Sequence, residues 1–314
     1  MSTVARAYRA PTPLGGRPRP KSTRTGRRRT RIAFTFLAPA LVVLAVFVIW
    51  PMISALQMSF TDASGFGQAE WVGLDNYTRI FTDPDIREAV LNTVWYAVLF
   101  TPTAVIVALV LAMALNHPAL RLRGLFRTAL FLPFIISLAV AALAWSYLID
   151  PQVGLLHYWL RQIGIDLGNV LQDPHLAMPA VAMVAVWKNF GFYLVIFLAG
   201  LQDIPGSLYE AAKMDGAGAW SRFRHITVPM LSNTTAFVLI FAMIAALQAF
   251  DQIYVMTGGG PYGSTQTVVM EIYESGFRKL DLGFASALSY VLLIATLLLS
   301  LVQFVFFGRR EEEN

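Results

Sequence analysis

Cysteine is absent from all 314 residues, which removes disulfides, thiol nucleophiles and cysteine metal sites together and leaves no trace of redox compartment. Histidine is scarce. The four, His117, His157, His175 and His225, fall in expected loops or at the ends of apolar runs, so no imidazole is placed inside a membrane to act as base for a serine hydrolase. No His/Glu cluster recurs at the i, i+4 spacing of a helical metal site, so no metal residues are assigned. The Gly-Lys-Ser/Thr that closes a phosphate-binding loop occurs nowhere, and any dependence on ATP must come from another chain. Acids are missing altogether from residues 1–31, which hold ten Lys and Arg.

What the chain has in abundance is apolar surface. Apolar residues make up 56% of it, with mean hydropathy +0.58, and they come in runs of about 20, the length a helix needs to cross hydrocarbon. The pattern predicts an all-α, polytopic membrane protein with six transmembrane helices, at 32–53, 89–115, 125–149, 177–201, 231–250 and 284–307. Residues 1–31 read as a disordered basic tail, 32–308 as the membrane domain with a loop at 202–230, and 309–314 as a second tail. The first run is too long for a signal peptide and lacks a convincing small-residue cleavage site, so it reads as a retained span. Outside the spans, and counting Arg127 at the edge of the third, eighteen Lys and Arg fall on one side and five on the other. That bias puts both termini and the 202–230 loop in the cytoplasm. The basic tail before a span serves topology and anionic lipid rather than nucleic acid.

Polar residues inside the spans are expensive and need a reason. Lys188, mid-way along the fourth span beside Asn189, costs several kcal/mol unless it faces water, protein or an acid. A structural ion pair, with Asp251 as a partner, and a place on a solute path stand as equal readings. In the fifth span Ala242, Ala245, Ala246 and Ala249 have the spacing of close helix packing, and Gln248, Asp251 and Gln252 continue toward its end. With Asn189, Tyr193, Phe250 and Tyr290 they supply the amide, carboxylate and aromatic groups that sugar hydroxyls and rings require.

The 202–230 loop is the most informative stretch. Ser207 and Glu210 have capping-box spacing, predicting a helix start at Ser207, and Gly216 and Gly218 end that helix. A second turn leads to Pro229 and the next span. A capped helix pair between two spans can move as a unit and carry force. The glycine run Thr257-Gly258-Gly259-Gly260-Pro261 reads as an outer-surface turn, since no phosphate-loop lysine follows it.

Glu210-Ala211-Ala212, then Asp215-Gly216-Ala217 and Ile226 to Pro229, resembles the EAA loop of binding-protein-dependent ABC importers. Phe250 to Pro261, Val72 to Tyr77 and Leu132-Pro133 are similar to segments of carbohydrate-type permeases in the same order. The resemblance, to the first membrane subunit of maltose and glycerol-3-phosphate importers, implies the type I ABC importer permease fold in a prokaryotic cytoplasmic membrane. It further implies a second homologous permease as heterodimer partner, two copies of a cytoplasmic ATPase that binds ATP and Mg, and an extracytoplasmic solute-binding protein; no cofactor is expected in this chain, which is expected to be non-catalytic. Glu210, Ala211, Ala212, Asp215, Gly216 and Arg222 are the expected ATPase-coupling residues; Lys188, Asn189, Tyr193, Gln248, Asp251, Gln252 and Tyr290 are the expected solute path. Where the maltose permease carries amide and aromatic side chains on the fifth span, this chain has mainly alanines. The expected solute is a sugar such as trehalose or maltose, with glycerol-3-phosphate or a glycerophosphodiester as alternatives. A gradient-driven transporter or channel is the competing class, and it would not need the capped loop.

Overall fold

A computed structural model describes residues 24–65, 67–117 and 119–308. They fall into two units, one ending at Ser54 and one beginning at Ala55. In the first, α1 (Arg24–Leu44) passes through a π-helical turn, Ala45–Ile49, toward α2 (Trp50–Met58). The helix starts at Arg24, inside the stretch read from the sequence as a disordered tail. Arginine is a good helix former, so the span's helix extends back through the basic run. Residues 1–23 and 309–314, the rest of the two expected tails, lie outside the described residues.

The second unit is helical throughout its long elements. A short α3 (Asp75–Thr82) precedes α4 (Pro84–Asn116), α5 (Arg123–Ile135), α6 (Leu138–Ile149), α7 (Leu155–Gln162) and α8 (Ala177–Asp203). Then follow α9 (Gly206–Met214), α10 (Ala219–Arg222), α11 (Val228–Met230), α12 (Ser232–Leu247), α13 (Asp251–Met256), α14 (Val268–Tyr273) and α15 (Leu282–Gly308). Among the described residues four helices are long and apolar enough to cross a membrane, Phe34–Met58, Pro84–Asn116, Ala177–Asp203 and Leu282–Phe307, and two bent pairs bring the number to as many as six.

α8 is the centre of the bundle. Within its most apolar stretch 61% of residues are buried, against 6% for the last helix, and α4, α5 and α12 all pack on it. Small side chains let the backbones approach: Ala104, Ala108 and Ala112 on α4 are fully buried, and a Cβ on Gly191 of α8 would collide with the Leu130 carbonyl of α5. α4 starts where its sequence directs, with Pro84 in the first turn and the Asp83 carboxylate accepting from the Asp85 amide at 3.0 Å.

Two expected spans are not single straight helices. The third bends by 96° between α5 and α6; Pro133 removes an amide from the ladder and α5 stops two residues later. The fifth is preceded by a bend of 67° between Ala219–Met230 and Ser232–Leu247, again just after a proline, Pro229. It also ends sooner than expected. α12 closes at Leu247 with Gln248 as its C-cap, Phe250 sits at φ −140°, ψ −62°, and α13 restarts the helix at Asp251.

The segment after the first span is tied down by its own motif. Asn76 is buried and its amide donates to the carbonyls of Ser59 at 3.0 Å and Thr61 at 2.8 Å. Arg79 reaches Asp281 at 2.7 Å and joins α3 to the start of α15. The glycine run is a turn, with Gly258 at φ 58° and Gly259 at φ 87°. It is fastened to α4 by the Asn92 amide, which donates to the carbonyls of Gly263 at 2.9 Å and Gln266 at 3.1 Å.

Candidate solute pocket and docking helix

The break between α12 and α13 opens onto a cavity of about 160 Å³. Asn189 from α8 and Gln248, Asp251 and Gln252 from the break meet there, with Phe250, Ala245 and Leu138 as apolar walls and Tyr96 and Phe100 from α4 behind them. An interrupted helix in hydrocarbon is tolerated only where its freed backbone is covered by protein or lines a cavity. The polar trio and the break are therefore one feature. The alanines divide between two tasks: Ala242 and Ala246 are buried in the packing, while Ala245 and the buried Ala249 line the cavity.

Gln252 is 2% exposed, and its amide donates to the Tyr96 hydroxyl at 2.7 Å. Its Oε1 is buried without a hydrogen-bond partner among the described residues, a costly arrangement for an amide oxygen beside a cavity. Asp251, one residue earlier, is exposed. The lining described holds a carboxylate, three amides and a phenol, and no cation.

Lys188, Tyr193 and Tyr290 do not line this cavity. Lys188 is half-buried with Nζ 4.7 Å from the centre of the Phe134 ring, a cation–π contact on the inner end of α5. Of the two readings of Lys188, the close ion pair with Asp251 is not found: no such pair within 4 Å occurs among the described residues, and the ammonium lies over the Phe134 ring. Tyr193 is 3% exposed in the core, packed on Phe192. Tyr290 sits half-buried on α15. Phe134 and Tyr96 carry no polar pattern in sequence, and only the fold reveals them as partners of Lys188 and Gln252.

At the opposite end of α8, α9 begins at Gly206 with Pro205 as its N-cap and no side-chain cap bond. The expected capping box of Ser207 and Glu210 is thereby corrected. Ser207 already lies inside the first turn, where its hydroxyl is not placed to accept the third amide. The other end follows expectation. Gly216 has φ 76°, its amide donates to the Lys213 carbonyl at 3.1 Å, and the Ala217 amide to the Ala212 carbonyl at 2.8 Å, the paired bonds of a Schellman motif. Gly218, expected to end α9 as well, is instead the N-cap of α10, because Gly216 alone closes the turn.

This helix pair presents an unusual surface. Met214 is 88% and Trp220 70% exposed, with Glu210, Ala211, Asp215 and Gly216 exposed between them and Ala212 and Arg222 half-buried. Glu210 and Asp215 form no ion pair among the described residues. Tyr209 turns the other way, and its hydroxyl meets that of buried Thr227 at 2.9 Å. One side of α9 is thus tied to the helix leading into α12, and the other is exposed.

The family described as binding-protein-dependent transport system inner membrane component matches residues 80–310. A probable ABC transporter permease protein of Bacillus subtilis, YurN, is 37% identical over 90% of this chain and 98% of its own length. The sn-glycerol-3-phosphate transport system permease protein UgpA of Yersinia pestis is 36% identical over 89% of this chain and 95% of its own. A solved bacterial ABC transporter that imports the acidic polysaccharide alginate contains a chain of the same fold, with TM-score 0.79 at 24% identity over 91% of this chain and 98% of that one. With the broken apolar helices, the polar cavity at the break and the exposed helix between two spans, these likenesses establish that the chain belongs to the binding-protein-dependent inner membrane components and is a permease subunit of the ABC transporter class.

Proposed function

We propose that this chain forms one half of a solute pathway in a prokaryotic cytoplasmic membrane, with both termini inside, and imports a sugar or related polyhydroxylated solute. A second, homologous permease supplies the other half. Two copies of an ATPase subunit bind ATP and Mg and dock on α9 and on its counterpart, and a solute-binding protein delivers solute from outside. In this reading the chain catalyses no reaction.

The cavity at the α12–α13 break carries the proposal. Its amides and carboxylate accept and donate hydrogen bonds in the manner sugar hydroxyls need, and Phe250 offers an apolar ring face. A carboxylate without a lining cation favours a neutral solute over a phosphate ester, since Lys188 is held on Phe134. The 36% identical UgpA supports the phosphate reading as the second choice.

The route for work is continuous. ATP binding closes the ATPase dimer and moves α9; the Tyr209–Thr227 contact passes the movement to the helix ending at Met230; the 67° bend converts it into a shift of α12, and with it Gln248 and Asp251. Alternating exposure of the cavity to the two sides follows from such a shift. The test is uptake into proteoliposomes holding the whole complex, with maltose, trehalose and sn-glycerol-3-phosphate as separate substrates. ATP-dependent accumulation of a neutral sugar supports the reading. Accumulation of the phosphate ester alone replaces it with the second, and uptake that needs no ATPase subunit overturns both.

A further inference from the structure

Phe250, which lines the cavity, belongs to a series of touching rings. Its ring stacks on Tyr254 at 5.4 Å between centroids and packs on Tyr273 at 5.1 Å; Tyr254 meets Tyr273 edge-on at 5.2 Å, and Tyr273 stacks on Phe277 at 5.6 Å. The Tyr273 hydroxyl donates to that of Tyr254 at 3.4 Å, which fixes the crossing of the two rings and holds the Tyr273 phenol above its usual range. Phe250 and Tyr273 are half-buried, while Tyr254 is 44% and Phe277 73% exposed. Beside the outer rings Arg278 and Glu274 are paired at 2.7 Å. Four contiguous rings, two of them exposed, that begin at the lining of a polar cavity form an apolar surface open to a ligand.

We propose that Phe250, Tyr254, Tyr273 and Phe277 are a stacking track for the apolar faces of pyranose rings, leading solute from the end of the bundle opposite α9 into the Asp251 cavity. This inference rests on the pathway reading above and adds to it a site and a ligand chemistry. A pyranose has C–H faces that lie against aromatic rings and hydroxyls at its edge, and the track offers both counterparts: flat rings in series, and phenol, carboxylate and guanidinium groups alongside. At its inner end the exposed Gln248 amide and Asp251 carboxylate line the cavity and can meet hydroxyls. A phosphate ester of glycerol has no such ring face and gains nothing from the series.

The absence of cysteine makes the test direct. Single variants Phe277→Cys, Tyr254→Cys and, for the cavity, Gln248→Cys are placed in the complete complex in nanodiscs, and their reaction with a membrane-impermeant thiol reagent is timed with and without methyl α-D-glucopyranoside, with the binding protein present and absent. The track predicts that Phe277→Cys and Tyr254→Cys react in at least one nucleotide state and are slowed several-fold by the glucoside, but not by glycerol at equal concentration. Track cysteines that stay silent while Gln248→Cys reacts show that the partner permease covers the rings, and the proposal falls while the pathway stands. Reaction that the glucoside does not slow overturns it equally. Silence at all three positions removes the pathway as well.

Discussion

Tyr209 and Thr227 lie 18 residues apart and share one hydrogen bond of 2.9 Å, the side-chain tie between the exposed helix α9 and the helix that bends into α12. A neutral bond of this kind contributes about 1 kcal/mol, small against the stability of a bundle but decisive for a joint that must not slip. Tyr209→Phe keeps the ring and removes the bond. The expected outcome is a complex that assembles normally but takes up less solute for each ATP hydrolysed, measured as the ratio of the two rates in proteoliposomes.

Gly216 closes α9 at φ 76°, and a Cβ added there meets nothing within 4 Å. The cost of a side chain is therefore backbone strain alone, roughly 1–2 kcal/mol for an ordinary residue, and greater for a β-branched one. Asparagine tolerates this conformation better. Gly216→Val is expected to weaken ATPase retention during purification or to uncouple hydrolysis from uptake, with Gly216→Asn in between; equal behaviour of valine and glycine would place the turn elsewhere.

Glu210 makes no cap and no ion pair among the described residues, so Glu210→Gln should leave the helix unchanged. Its effect should be seen only with the ATPase present. Reduced solute-stimulated ATP hydrolysis in the assembled complex, with unchanged thermal stability of the isolated permease pair, is the expected result.

The helical membrane class was legible because runs of about 20 apolar residues have few other physical outcomes, and the Gly216 turn was legible because glycine followed by a second helix start leaves little choice of backbone. The breaks were not. Leu132-Pro133 lies in a run of apolar residues, and only tertiary packing decides whether such a proline kinks a span or turns it by 96°. The cavity was half legible: Gln248, Asp251 and Gln252 announce themselves as polar residues in an apolar run, whereas Tyr96 and Phe134 do so only when α4 and α5 come against them. Lys188 shows the reverse case, a conspicuous charge whose partner turned out to be an aromatic ring.

Tyr96 and Gln252 form the polar back wall of the cavity. Tyr96→Phe would leave the buried Gln252 amide without its acceptor, at a cost of about 1–3 kcal/mol. The purified complex should melt at lower temperature, and Gln252→Leu combined with Tyr96→Phe should recover part of the loss, because both polar groups then leave together. A double variant as unstable as the sum of the singles would argue that the two residues do not act as a pair.

Gln248 caps α12 at the edge of the break and is exposed to the cavity, so it reports most directly on whether this chain borders an alternating solute path. Gln248→Cys in the otherwise cysteine-free chain, in the complete complex reconstituted in sealed vesicles, is treated with an impermeant thiol reagent applied to one side or the other, with ATP absent and with a non-hydrolysable ATP analogue present. The account predicts reaction from one side in the first condition and from the opposite side in the second. A cysteine that reacts from neither side in either condition, or from the same side in both, would contradict it.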